Sequence, residues 1–272
     1  MMPARRLVVI GHPVAHSLSP RMQQAALDAA GFAVRYEAVD VVPEALTETL
    51  AGFARTETWG NVTVPHKIAV AAQCVARTPI ADRAGAVNTF WFEAGALHGD
   101  NTDVTGFEAA VTHLLGSIPS GLRVGLLGAG GSAGAVATAV ERWPGATLLV
   151  HARSAERARA LQRRFPDRVT LGPSAASVAG SVDLLVNATP LGVVGDLMPV
   201  DPADIRTSTA VLDLTYRPGL TPWIRACRAA GHTADDGIRM LVEQGAHAFV
   251  RWFGVEPDRT VMWRALQAAG FP

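Results

Sequence analysis

Arg123-Val124-Gly125-Leu126-Leu127-Gly128-Ala129-Gly130-Gly131-Ser132-Ala133 is the stretch that decides the fold. Residues 123–127 read as a buried strand, a glycine-rich turn follows, and the Ala-rich run 132–142 reads as a helix. The turn has the form G-x-G-G-x-A, a variant of the dinucleotide fingerprint. Gly128 permits the tight turn, Gly130 lets a pyrophosphate approach the backbone, and Ala133 keeps helix and strand close. Ala129, Gly131 and Ser132 complete a loop whose N–H groups at the helix start suit an anion. The bland alternative is a Gly-rich turn that holds nothing. Strand, loop and helix arriving in this order weigh against it.

Downstream, residues 147–150 read as the next strand. Its tip, His151-Ala152-Arg153-Ser154, with Arg157 one turn on, carries no acidic residue for ribose hydroxyls. Arg153, Ser154 and Arg157 offer guanidinium and hydroxyl donors to a 2′-phosphate, so the expected cofactor is NADP. Plain solvated residues at a helix start are the alternative, but positive charge there opposes the helix dipole. A charged helix over 155–165 and buried strands over 183–187 and 211–214 continue the alternation expected of a doubly wound Rossmann sheet.

Upstream, strands are expected over 7–11, 34–41 and 60–64, with helices over 20–30, 43–55 and from about His66. A hairpin is expected over 87–100, around Glu93-Ala94-Gly95. The first sheet is expected to be mostly parallel. Turn-forming residues over 114–121 mark a junction. An apolar helix over 238–253 and another restarted at Pro257 are expected to return to the first domain. The expected fold is α/β with two domains. Residues 1–103, completed by 238–272, form an α/β substrate domain, and 104–237 form a Rossmann-type NADP domain.

The chain has 272 residues, 24 basic and 24 acidic, so its formal net charge is zero. That argues against a nucleic-acid binder driven by bulk charge. Hydrophobic residues make up 49%, enough for two cores. No apolar run reaches the ~18 residues of a membrane span, and 1–10 reads as a first strand rather than a signal peptide. Cys74 and Cys227 make no disulfide framework or zinc site, and the histidines lack metal-ligand spacing. A cytoplasmic protein, monomer or homodimer, without metal, membrane or nucleic-acid partner, is expected. Of the 24 basic residues 23 are Arg, and the single Lys is Lys67. Arg replaces Lys on a surface but fails where a compact ammonium must give up its proton, so Lys67 reads as a chemical residue.

Lys67 closes Asn61-Val62-Thr63-Val64-Pro65-His66-Lys67 at a strand end, where open α/β sheets bind ligands. Asn61 and Thr63 alternate on one face and are expected to point into a cleft. Gly99-Asp100-Asn101-Thr102-Asp103 is a second polar cluster. Asp103 there would orient the Lys67 ammonium or, read alone, cap a helix. Ser17 and Ser19 sit just before a helix start, an arrangement for a carboxylate, with Ser19 also the expected N-cap. Ala86-Val87-Asn88-Thr89 adds a polar pair.

Ser17-Leu18-Ser19-Pro20, the 61–67 segment, Gly85-Ala86-Val87-Asn88-Thr89 and 99–103 resemble, in order, the signatures of shikimate dehydrogenases. So do 128–133, Asn187-Ala188-Thr189-Pro190, Asp213-Leu214-Thr215-Tyr216 and 236–246. The resemblance implies NADP-linked, reversible reduction of 3-dehydroshikimate to shikimate, with cofactor and substrate meeting in a cleft between two domains. It implies Ser17, Ser19 and Tyr216 as carboxylate ligands. Thr63, Asn88, Asp103 and Gln244 would hold the ring hydroxyls, and Lys67 paired with Asp103 would be the acid/base. Leu214 and Gly237 fall at its nicotinamide pocket. Three positions depart from the pattern: Ala152 stands where Asn is usual in the phosphate loop, Val193 for Met, and Gln23 for His. The rivals are a quinate or aminoshikimate dehydrogenase-like paralogue, another two-domain NADP enzyme with a cleft Lys such as a methylene-tetrahydrofolate dehydrogenase, and a non-catalytic NADP-binding sensor.

Overall fold

The computed structural model describes residues 5–271, so residues 1–4 and 272 of the expected domain ranges lie outside the described residues. Two compact units divide the chain. One runs to Gly106 and takes back Leu241–Ala269, and the other holds Phe107–Met240 with the last described residues from Gly270 on.

Six strands build the first unit's sheet: β1 (Arg6–Gly11), β2 (Tyr36–Asp40), β3 (Thr58–Val62), β4 (Ala76–Arg77), β5 (Thr89–Glu93) and β6 (Ala96–Asp100). Their order is β2-β1-β3-β5-β6-β4. β1 pairs in parallel with β2 and β3, whereas β5 runs antiparallel to both β3 and β6. The sheet is therefore mixed, not mostly parallel as the sequence suggested. The cause is the hairpin at Ala94-Gly95, where both residues take positive φ and reverse the chain in two residues. Leu7, Val8, Val9 and Ile10 are all buried in the central strand.

Helix Ser19–Ala29 carries Met22, Gln23, Ala26 and Leu27 on its buried face. Helix Ile238–Phe253, from Leu241 on, and helix Arg259–Gln267 complete this unit. Phe32 stacks on Phe253 at 4.2 Å, Trp252 Nε1 donates to the Phe90 carbonyl, and Arg251 pairs with Asp100. Asp258 caps the last helix through the amides of Thr260 and Val261, just after Pro257.

The second unit holds β7 (Arg123–Leu127), β8 (Thr147–His151), β9 (Val169–Leu171), β10 (Leu184–Asn187), β11 (Ala210–Asp213) and β12 (Ala234–Asp235). The order is β12-β11-β10-β7-β8-β9, every pairing parallel. Counted from β7 this is the doubly wound 3-2-1-4-5-6 order, whose ligand crevice lies where the winding reverses, between β7 and β10. Helix Ala133–Arg142 is small-residued and buried from Ala133 to Val140, which lets it lie close on the sheet. Trp223, Ile224 and Cys227 fill the core on the side of β11 and β12.

Several short elements escaped the sequence reading: β4, β9, β12 and helices Pro79–Ala84, Ala175–Ala179 and Pro222–Ala229. Two of these helices begin on the same signal, a capping Thr followed by Pro, at Thr78-Pro79 and Thr221-Pro222. Residues 43–45 form a 3-10 turn before helix Leu46–Arg55, and β3 runs two residues earlier than expected, so Thr63 lies beyond its end. No helix among the described residues is long and apolar enough to cross a membrane.

Candidate active site

In the first unit Lys67 opens helix Lys67–Gln73 directly after the β3 exit. His66 precedes it, buried, with its Nε2 2.6 Å from the Val41 carbonyl oxygen, which pins the start of the helix. Lys67 Nζ donates to Asp103 Oδ2 at 2.6 Å, with the two residues only 8% and 4% exposed. A buried ion pair must be matched by further hydrogen bonds to offset its desolvation. Asn88 Nδ2 supplies one, donating to Asp103 Oδ1 at 2.7 Å. Asp103 is the first residue of helix Asp103–Leu115, and its carboxylate faces Lys67 and Asn88 rather than capping that helix. The capping alternative is thereby corrected.

Asn88 is the hub of the cluster. Its Oδ1 accepts from the Thr102 amide at 2.8 Å, and its Nδ2 lies 3.2 Å from Gln244 Oε1. Gln244 comes from helix Ile238–Phe253, far away in sequence, and its own Nε2 donates to the Leu241 carbonyl. Lys67, Asn88, Asp103 and Gln244 are thus brought together. Asn61 differs from expectation: it is buried inside the sheet, accepting from Tyr36 Oη at 2.6 Å and donating to the Asn88 carbonyl and Thr89 Oγ1. It supports the cluster from below instead of opening to a cleft. Thr63 is half-buried, and its methyl fills the space that a side chain at Gly11 would need.

Ser19 does not cap its helix. It is the first helical residue, preceded by Leu18 in αR conformation at the N-cap position, which supplies no capping side chain. Ser17 Oγ instead accepts the Ser19 amide at 3.3 Å. This ties the two serines together and leaves the Ser19 hydroxyl without a hydrogen-bond partner among the described residues. Gln23, one turn later, donates to the Gly245 carbonyl at 2.8 Å and so links this helix to the neighbour of Gln244.

In the second unit the β7 tip turns at Gly128, φ +113°, where any side chain would meet the Ala188 carbonyl group at the tip of β10. Above Gly130 the space is open, and helix Ala133–Arg142 has no side-chain cap, with Ser132 in αR conformation. The turn, the open backbone and the uncapped helix start are what a dinucleotide pyrophosphate requires. Ala129, Gly130, Gly131 and Ser132 are half-buried along it, and at the β8 tip Arg153 and Arg157 are exposed beside the half-buried Ala152. Ser154 caps helix Ala155–Arg164 by accepting the Arg157 amide at 3.3 Å, so its oxygen has a structural task while its O–H stays available.

The tips of β10 and β11 are tied by a buried carboxylate. Asp213 accepts from Asn187 Nδ2, the Thr215 amide and hydroxyl, and Thr221 Oγ1 at 2.8–3.0 Å. Burial nonetheless pushes its carboxyl above the usual range. Leu214 and Gly237 meet there: a Cβ on Gly237 would clash with the Leu214 carbonyl oxygen, and the Gly237 amide donates to Thr215. Asp236 Oδ1 accepts the Ile238 amide while its buried Oδ2 has no partner among the described residues, and burial raises this carboxyl to about 6. Tyr216 belongs to this unit, edge-on to Phe271 with ring centres 6.0 Å apart. Burial pushes the Cys74 thiol to about 11 and Cys227 to about 12, so neither serves as a thiolate nucleophile at neutral pH. Among the described residues no group of His, Cys, Asp or Glu comes together to hold a metal.

Residues 9–90 match the family described as the shikimate dehydrogenase substrate binding domain, and 237–267 match the shikimate 5′-dehydrogenase C-terminal domain. A shikimate dehydrogenase (NADP(+)) of Rubrobacter xylanophilus is 42% identical over 96% of this chain and 95% of its own. One of Mesorhizobium japonicum is 39% identical over 97% of this chain and 96% of its own. This chain belongs to the shikimate dehydrogenase family. A solved shikimate 5-dehydrogenase of Thermus thermophilus, in complex with NADP(H) and shikimate, superposes with a TM-score of 0.87. It is 39% identical and covers 97% of this chain and 99% of its own.

Set in the shikimate dehydrogenase family, the chain shows which members of its polar cluster the sequence reading passed over. Tyr36, Thr89 and Thr102 all bond into the Asn61–Asn88 network, yet only Asn88 was assigned a role. Nothing in the sequence singles out Thr89, whose hydroxyl lies within hydrogen-bond distance of Asn88 Oδ1 and Thr102 Oγ1. Asp213, buried and four times bonded, was likewise given no role in fixing the strand tips.

Proposed function

We propose that this chain catalyses the reversible, NADP-linked reduction of 3-dehydroshikimate to shikimate, with Lys67 as acid/base. The observation that carries this reading is the buried Lys67–Asp103 pair, held by Asn88, in a chain of the shikimate dehydrogenase family. NADPH supplies the hydride that the carbonyl carbon accepts. The Lys67 ammonium gives its proton to the carbonyl oxygen as that hydride arrives and takes it back in the reverse direction. Asp103 holds the ammonium in place and, with Asn88, Thr63 and Gln244, receives the ring hydroxyls. Ser17 and Ser19 bind the carboxylate, where the free hydroxyl of Ser19 and the start of its helix favour an anion.

The backbone of Gly128, Ala129, Gly130, Gly131 and Ser132 would hold the NADP pyrophosphate, and Leu214 and Gly237 would line the nicotinamide side. Arg153, Ser154 and Arg157 take the 2′-phosphate at the β8 tip, beside Ala152. The substrate domain is 1–103 completed by 238–272, the NADP domain is 104–237, and the working form is a cytoplasmic monomer or homodimer. Turnover of the purified protein with shikimate or quinate, each with NADP or NAD, tests the reading. Shikimate with NADP should give the largest kcat/KM. A larger value with quinate would move the chain to a paralogue, and no turnover with any pair would make it a sensor.

A further inference from the structure

Beneath the Lys67–Asp103 pair runs a line of buried polar side chains that the proposed reaction does not use. Tyr36 Oη donates to Asn61 Oδ1 at 2.6 Å. Asn61 Nδ2 faces the Asn88 carbonyl at 3.1 Å, which fixes it as the amide's nitrogen end, and it also donates to Thr89 Oγ1 at 3.0 Å. Thr89 has a single proton; given to Asn88 Oδ1 at 3.1 Å it leaves Thr89 Oγ1 as an acceptor for Thr102 Oγ1 at 3.2 Å, a hydroxyl that also reaches Asn88 Oδ1 at 3.2 Å. Asn88 Oδ1 also accepts the Thr102 amide, so its Nδ2 is the end presented to Asp103 Oδ1. All of these residues are buried, and each bond from Tyr36 to Asp103 points its proton the same way.

We infer that Tyr36, Asn61 and Thr89 are positioning residues, a one-way hydrogen-bond chain that keeps the Asn88 amide turned with its N–H toward Asp103 and thereby sets the Lys67–Asp103 pair. The inference rests on the proposed role of Lys67. An Asn88 amide turned the other way would put its oxygen against a carboxylate oxygen and lose the Thr102 amide bond. The Thr102 amide at 2.8 Å and hydroxyl at 3.2 Å hold one side of Asn88 Oδ1, and Thr89 holds the other at 3.1 Å. Removing the Thr89 hydroxyl also strips Asn61 Nδ2 of one acceptor, so the loss spreads in both directions along the chain. Such chains polarise their members, and a partly satisfied one loses its single orientation.

Thr89→Val keeps the shape and deletes the hydroxyl, and Thr89→Ser restores it. In Thr89→Val, kcat should fall about 10-fold with KM for NADP unchanged, as small misplacement of a reacting group costs rate. Thr89→Ser should recover most of that loss. Once Asn88 is replaced by Ala, adding Thr89→Val should lower kcat no further, since its effect passes through Asn88. Lys67 is the only lysine, so lysine labelled at its ε-carbon gives one side-chain NMR signal that reports on the pair without turnover. That signal should move in Thr89→Val and return in Thr89→Ser. Should Thr89→Val fail to fold, Tyr36→Phe at the head of the chain should move the same signal in the same sense. An unmoved signal with wild-type kcat, or a Thr89→Val loss that adds fully to that of Asn88→Ala, overturns the inference. Absence of shikimate turnover in the wild type would instead overturn the proposed function and leave the NMR test standing.

Discussion

The first unit gathers its candidate chemistry in side chains, the second in backbone. Around Lys67 a charge pair, three amides and a phenol hydroxyl are buried and bonded across residues 36, 61, 67, 88, 103 and 244. At the β7 tip the working surface is Gly128 at positive φ, open space over Gly130 and an uncapped helix. A hydride-transfer enzyme needs both kinds of site. Proton transfer demands one functional group in one place, while a pyrophosphate is held by N–H groups that any sequence supplies once the loop has the right shape. Substitutions should therefore act sharply and individually in the first unit. In the second they should act through shape or summed charge.

The largest expected effect is at Lys67. Lys67→Ala should lower kcat by ~10²-fold or more, the scale of acid–base loss, with NADP affinity unchanged by fluorescence titration. A matching loss of NADP affinity would break the division between the units. Next is the double replacement of Ser17 and Ser19 by Ala, which should raise KM for shikimate by at least about 10-fold, since hydrogen bonds to a charged group are worth ~1.5–3 kcal/mol each. KM for NADP should stay constant. An unchanged shikimate KM would leave Ser17 only its bond to the Ser19 amide.

The second unit gives a graded response. Wild type should prefer NADP over NAD by ~10²-fold in kcat/KM through charge-assisted bonds to the phosphate. Arg153→Ala should erode that preference about 10-fold by raising the NADP KM, without touching kcat. A preference left intact would show that the phosphate is read elsewhere than at the β8 tip.

The smallest effect concerns stability. Burial raises Asp236 to about 6, above a carboxyl of about 4 in the unfolded chain. Between those values the folded protein keeps a proton that the unfolded chain has released, so stability falls as pH rises through about 6. Asp236→Asn retains an oxygen for the Ile238 amide and removes the buried charge. It should add about 2 kcal/mol at pH 8, with the gain shrinking toward pH 5. Urea melts at the two pH values measure this, and an equal gain at both would mean that charge is not the cause.

The second unit was the more legible in sequence because its signal is local. Strand, G-x-G-G-x-A turn and helix occupy residues 123–142, and the missing acid at 151–154 speaks to cofactor choice within the next strand. Lys67 was legible for a different reason, as the only lysine among 24 basic residues. What stayed hidden depends on contacts between distant segments. Nothing near Asn61 announces Tyr36, and nothing near Ser19 shows that Ser17 takes its amide. The hairpin was visible, but β5 running against β3 was not. Short elements such as β4 and β12 are two residues long and carry no period to read.

Shikimate-dependent reduction of NADP by the wild type and by Lys67→Arg, followed side by side under saturating cofactor, tests the central claim most directly. Arg keeps a positive charge for Asp103 but does not release its proton in this pH range. The account predicts a working wild type and a Lys67→Arg enzyme slower by ~10²-fold or more, with NADP binding retained. A Lys67→Arg enzyme that turns over at the wild-type rate would contradict it.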